Sequence, residues 1–210
     1  MNPSKIDIDR NISKLRVNSA EFLNLDKANL ISMLEQTVDN IKTISYYWVS
    51  LSSEKKGHLT KSKEGEEWIG GPFSCIYALQ YFIEYLQNEE DLDKNKFDES
   101  SKSYQVFPTK NIEKLLFPFL KGEIRFGKNL NFEQINEYRG YANRFKNNKP
   151  KITLVLGAGN VSSIPVLDAL FHMIAHKSVI YIKLNPVNDY LLPIFTQIFE
   201  PFIARGFMVI

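Results

Sequence analysis

The strongest constraint on the fold of this chain lies in residues 152–210, where apolar strand-like runs alternate with helix-like segments. ITLVLG, from Ile152, is a continuous apolar, β-branched run, the pattern of a strand buried on both faces. It runs into GAGN. Glycines directly after such a strand let the backbone turn tightly and approach a bound phosphate or ring. Ile164 to Ala175 then reads as a helix, SVIYIK as a second buried strand and LNPV as a loop. Tyr190 to Ala204 reads as a further helix, and GFMVI as the start of a third strand. This β-α-β-α-β order is that of the mononucleotide-binding half of a doubly wound sheet.

The segments before it are richer in helix. Asp26 is a plausible N-cap, and Leu30, Met33, Leu34, Val38, Ile41 and Ile44 keep a 3.6-residue beat that predicts an amphipathic helix to about Val49. SSEKKGHLTKSKEGE, from Ser52, reads as a polar loop. Trp68 opens a second packed element, GGPFSCIYALQYFIEYLQ, with Pro72 suited to a first helical turn and Ile76, Leu79, Phe82, Ile83 and Leu86 as its buried stripe. Asn88 to Ser103 is charged and aperiodic, the pattern of a mobile connection. Beyond it YQVFP reads as a strand, NIEKLLFPFL as a short helix closed by Pro118, GEIRFG as a strand, and Phe132 to Phe145 as a helix. The aromatic richness before residue 150 is expected in the core. The expected division is a helix-rich region with short strands over residues 1–150 and the α/β unit over residues 151–210.

The usual dinucleotide fingerprint is not met. GxGxxG requires glycine or alanine where Ser162 stands, and Lys183 occupies the end of the second strand in place of an acidic residue. A cation there argues against the ordinary carboxylate grip on the ribose hydroxyls. With these departures, GNVSSIP followed by SVIYIKLNP resembles the aldehyde dehydrogenase superfamily, and Asn160 and Lys183 stand 23 positions apart, the family's interval. EEWIGGPF, LLFPFL and VLGAGNVSSIPVLDAL with KLNPVNDYL together resemble a bacterial branch close to the acyl-CoA reductases. The similarity covers most of the chain from Glu66 onward.

The resemblance implies an α/β fold in which the helix-rich region leads into a truncated Rossmann-like unit of the aldehyde dehydrogenase type. It implies an NAD(P)-dependent oxidoreductase acting on an aldehyde or an acyl thioester, with NAD or NADP as cofactor. Asn160 matches the catalytic asparagine whose side-chain amide helps hold the substrate oxyanion. Lys183 matches the lysine that grips the adenosine ribose or a 2′-phosphate. Gly157 and Gly159 allow the turn near the nicotinamide. Pro186 stands where many members carry a glutamate beside that lysine, which leaves NADP open. The family's catalytic cysteine and its second glycine-rich turn lie downstream of the third strand, so a chain ending at Ile210 is expected to be an inactive fragment. The competing expectation is a truncated, non-catalytic binding or assembly module whose last strand offers an open sheet edge to a partner.

Composition narrows the classes further. Lys and Arg number 26 against 24 Asp and Glu, interspersed, which argues against a nucleic-acid partner. Cys75 is the single cysteine, so no internal disulfide forms; its apolar neighbours Phe73, Ile76 and Tyr77 mark it as a small buried hydrophobe. The charged start MNPSKIDIDR has no apolar h-region, and no apolar stretch reaches the length of a membrane span, so a cytoplasmic protein is expected. His172 and His176 share a helix face, but without a third ligand or an HExxH glutamate no metal site is expected of them or of His58. A homo-oligomer is compatible with all of this.

Overall fold

The computed structural model describes residues 4–57, 60–88, 91–139 and 149–210. The chain divides into two compact units, one made of residues 1–88 with residues 142–210, the other of residues 89–141. The expected boundary at residue 150 coincides with neither join. Amino-terminal helices and carboxyl-terminal sheet share one core instead of forming successive domains, and no local pattern in the sequence encodes which distant segments pack together.

In the first unit, helix α1 (Lys5–Leu23) starts at Ser4, whose hydroxyl accepts from the Asp7 N–H while the Asp7 carboxylate accepts from the Ser4 N–H. Helix α2 (Lys27–Lys55) starts at Asp26, whose carboxylate accepts from the Asn29 N–H at 2.8 Å. Its buried stripe includes Leu30, Leu34, Ile41 and Trp48 and extends the expected periodicity by two turns, to Ser52 and Ser53. The supposed polar loop is therefore largely helical. Its first residues finish α2, and its second half is helix α3 (Lys61–Trp68), capped by Thr60. His58 lies outside the described residues.

A π-helical turn (Ile69–Phe73) joins α3 to helix α4 (Ser74–Asn88). Gly71 leaves helical geometry there, at φ −131° and ψ −112°, so Pro72 sits in a kink ahead of α4, not in its first turn. Cys75, Leu79 and Leu86 are buried, whereas Ile76, Phe82 and Ile83 of the expected stripe are half-buried.

The carboxyl-terminal part has the expected alternation. Strands β4 (Lys151–Leu156), β5 (Ser178–Lys183) and β6 (Met208–Val209) form a parallel sheet in that order. Helix α7 (Ile164–His176) connects the first two. A 3₁₀ turn (Pro186–Leu191), helix α8 (Leu192–Ile198) and helix α9 (Glu200–Ala204) connect β5 to β6. The chain is thus mixed α/β. Two expectations change. The single helix over 190–204 is broken at Phe199, with Pro193 and Pro201 near the starts of its two pieces, where the missing proline N–H costs nothing. β4 is not buried on both faces. Among the described residues it pairs only with β5, and Leu154 and Leu156 are exposed. β5 lies between two strands, and Ser178, Val179, Ile180 and Ile182 are buried.

Helix α1 packs on this sheet, with the Asn11 amide donating to the Tyr181 hydroxyl at 3.2 Å. At the far end of α1 the Phe22 and Phe207 rings lie 5.0 Å apart, and the Arg205 guanidinium reaches Glu21 at 2.6 Å. Helix α2 packs on α8, where the Asn40 amide donates to the Gln197 carbonyl at 3.0 Å and satisfies an acceptor at that helix end.

The second unit contains the antiparallel strands β1 (Phe97–Asp98), β2 (Ser103–Phe107) and β3 (Gly122–Arg125), with helix α5 (Asn111–Leu116) between β2 and β3 and helix α6 (Phe132–Tyr138) after them. Asn88 ends α4, and the rest of the expected connection, to Ser103, belongs to this unit: Asp98 accepts from the Ser100 N–H to form the β1–β2 turn. The expected helix from Phe132 ends at Tyr138, because Arg139 is extended; Tyr141, Ala142 and Phe145 lie outside the described residues.

Candidate functional site

The carboxyl ends of β4 and β5 are held side by side. Leu156 pairs with Lys183, and the Gly157 N–H donates to the Lys183 carbonyl at 2.8 Å, one residue beyond the strand. The chain then turns through Ala158, Gly159 and Asn160 before α7 begins at Ile164. Asn160 lies in that turn, as expected, and is exposed; among the described residues its side-chain amide has no hydrogen-bond partner. Lys183 is likewise exposed and its ammonium makes no ion pair among the described residues.

The two glycines lie where two loops approach closely. A Cβ on Gly157 would lie 3.2 Å from Pro165 Cγ and 3.3 Å from the Lys183 carbonyl oxygen. One on Gly159 would lie 3.0 Å from both Asn185 Nδ2 and Val187 Cγ2. Neither glycine has positive φ. They are small so that the loop after β5 can lie against the turn after β4. Pro186 is exposed at the start of the 3₁₀ turn, and Asn185 caps that turn by accepting from the Val187 N–H at 3.2 Å. Asn188 is buried and donates to the Ala158 carbonyl at 2.9 Å, so it ties the two loops together.

A second set of contacts holds the turn from the amino-terminal helices. The Trp48 indole N–H donates to the Ser162 hydroxyl at 3.1 Å, and the Ser163 N–H donates to the Gly70 carbonyl at 3.0 Å. A Cβ on Gly71 would meet Ser162 Oγ at 3.2 Å. Lys56 reaches both Glu67 oxygens, at 2.8 and 2.9 Å, and also donates to the Asn160 carbonyl at 3.4 Å. EEWIGGPF and GNVSSIP, whose contacting residues Gly70 and Ser162 are 92 positions apart, are therefore packed together. Trp48, Lys56, Ser162 and Asn188 were not among the expected site residues. Only the unusual serine where the fingerprint wants glycine signalled one of them.

Cys75 is fully buried and burial pushes its thiol up, so no ready thiolate is present at neutral pH. His172 and His176 face each other with ring centroids 5.2 Å apart, at the end of α7 away from the turn. Among the described residues no three His, Cys, Asp or Glu side chains gather in a metal-binding group, and no helix is long and apolar enough to cross a membrane. Comparison with protein-family models, curated proteins and solved structures finds no match.

Proposed function

We propose that this chain carries the cofactor-side portion of an NAD(P)-dependent oxidoreductase of the aldehyde dehydrogenase type, acting on an aldehyde or an acyl thioester. The observation that carries the reading is the placing of two unpartnered polar side chains, Asn160 and Lys183, after adjacent parallel strands at their carboxyl ends, where open α/β sheets take ligands. Lys183 suits a ribose hydroxyl or a 2′-phosphate, since its ammonium has no internal partner. Asn160 suits an oxyanion, since its amide is a free donor held in a turn fixed from both sides. Gly157 and Gly159 contribute through the close approach of the two loops; the space beside Gly159 is filled by Asn185 and Val187, so it offers no phosphate cradle. A bound nicotinamide would supply hydride exchange. Cys75 is not the nucleophile for that chemistry, because it is buried and its thiol is held protonated.

Calorimetric titration of the 210-residue chain with NAD and with NADP tests the reading. One charge-assisted contact from Lys183 is worth about 1.5–3 kcal/mol, against the roughly 4 kcal/mol of millimolar affinity. The expected result is weak binding that Lys183→Ala weakens further. Micromolar binding untouched by Lys183→Ala would place the site elsewhere. The alternative, a non-catalytic assembly module, is favoured by exposed Leu154 and Leu156 on the β4 edge. It requires concentration-dependent association in sedimentation, lost in Leu154→Lys.

A further inference from the structure

The second unit presents an apolar surface quite unlike an ordinary solvated face. Residues 114–121, KLLFPFLK, are exposed without interruption. Phe119 is 100% exposed, Leu115 74%, Leu116 63% and Leu120 58%. Large apolar side chains scattered singly over a surface need no explanation, but four within six residues at one helix end do.

Their presentation is fixed from beneath. The Leu120 N–H donates to the Phe117 carbonyl at 3.1 Å, closing a turn with Pro118 and Phe119 at its tip. The Phe117 ring packs on Phe107, centroids 5.6 Å apart, so the turn is anchored while Phe119 projects. At the other end of α5, buried Glu113 accepts from the N–H groups of Thr109 and Lys110 at 2.7 and 3.0 Å.

Cations outnumber acids along this segment. Residues 109–130 hold five cations, Lys110, Lys114, Lys121, Arg125 and Lys128, and two acids, Glu113 and Glu123. That excess of three exceeds the +2 of the whole chain. Glu113 is buried in its backbone contacts and Glu123 is paired with Lys121 at 2.5 Å, so the charge shown to an approaching surface is positive. The near-neutral, interspersed composition of the chain conceals this local excess.

We infer that the α5–β3 segment docks the protein on an anionic phospholipid surface, with Leu115, Leu116, Phe119 and Leu120 entering the headgroup–acyl boundary and Lys114, Lys121, Arg125 and Lys128 meeting the lipid phosphates. Apolar burial and attraction to anionic headgroups act together in such peripheral binding, and neither alone gives much. The apolar tip flanked in sequence by cations is complementary to that boundary in sign. A protein partner would equally bury the leucines but gives no reason for cations on both flanks of the tip.

The test is co-sedimentation of the full chain with vesicles of phosphatidylcholine, alone or mixed with phosphatidylserine. The chain should pellet with the mixed vesicles, stay in solution with phosphatidylcholine alone, and be released by salt. Phe119→Asp should weaken binding by about ten-fold or more, the factor expected when one large apolar side chain stays in water. Lys114→Glu combined with Arg125→Glu should abolish it, with circular dichroism confirming that both variants fold. Failure to pellet with mixed vesicles, or equal binding by Phe119→Asp, would overturn the assignment. So would self-association of the chain that Phe119→Asp abolishes, which would make the tip an interface between copies.

Discussion

The Trp48 indole N–H and the Ser162 hydroxyl, 3.1 Å apart and both buried, join the carboxyl-terminal part of α2 to the turn that carries Asn160. Ser162→Ala removes the acceptor and leaves a buried donor unpaired, at a cost of about 1–3 kcal/mol. Trp48→Phe in the same background should recover part of that loss, because it removes the orphaned donor. Urea unfolding of the two single variants and the double variant measures this. Additive losses would mean the bond contributes nothing of its own.

Gly159→Ala and Gly157→Ala should each destabilise the chain. The added Cβ of the first meets two side chains at 3.0 Å, those of Asn185 and Val187, while that of the second meets its nearest atom at 3.2 Å. Overpacking of this kind costs about 1–3 kcal/mol. Asn185→Ala should relieve Gly159→Ala in part, and a shift of thermal midpoint identical in both backgrounds would remove that contact as the cause.

Cys75 should resist a water-soluble disulfide reagent in the folded chain and react fully in denaturant. The thiol is buried and its ionisation is opposed by desolvation. Its rate should follow local or global opening of the fold. Fast stoichiometric labelling of the native chain would contradict the packing of α4.

His176 should make stability fall as the solution is acidified. Burial first, then the neighbouring His172 and Lys151 charges, lower its pKa below 6.5. The folded state thus binds fewer protons than the unfolded state between the lowered value and the ordinary one. Stability is fully present above the unfolded pKa and declines as pH falls through the folded one. In His176→Gln that part of the slope should vanish, read as thermal midpoint from neutral pH down through the histidine range.

What could be read from the sequence was whatever depends on near neighbours. Asp26 as a cap, the stripe of α2, the order β4-α7-β5 and the place of Asn160 all rest on periodicity or on residues adjacent in the chain. What could not be read depends on position within the fold. ITLVL and SVIYI are equally apolar, yet one is an edge strand with exposed leucines and the other is central. The glycines were visible, but the loop that needs their smallness, Asn185 to Val187, is nearly thirty residues away. Aromatic richness before residue 150 likewise contains both Trp48, fully buried, and Phe119, fully exposed, and composition cannot separate them.

The contact between Asn11 and Tyr181 has a consequence for how the molecule is made. The two residues are 170 positions apart, and the Arg205–Glu21 pair spans 184. During synthesis α1 leaves the ribosome long before the sheet it lies on. The intervening residues 89–141 close an antiparallel unit of their own and can fold as soon as they emerge. The first unit can then be completed only after β5 and β6 have emerged. Its amino-terminal helices wait with their apolar faces uncovered until β5 and β6 arrive, and that interval is when a chaperone would be most needed.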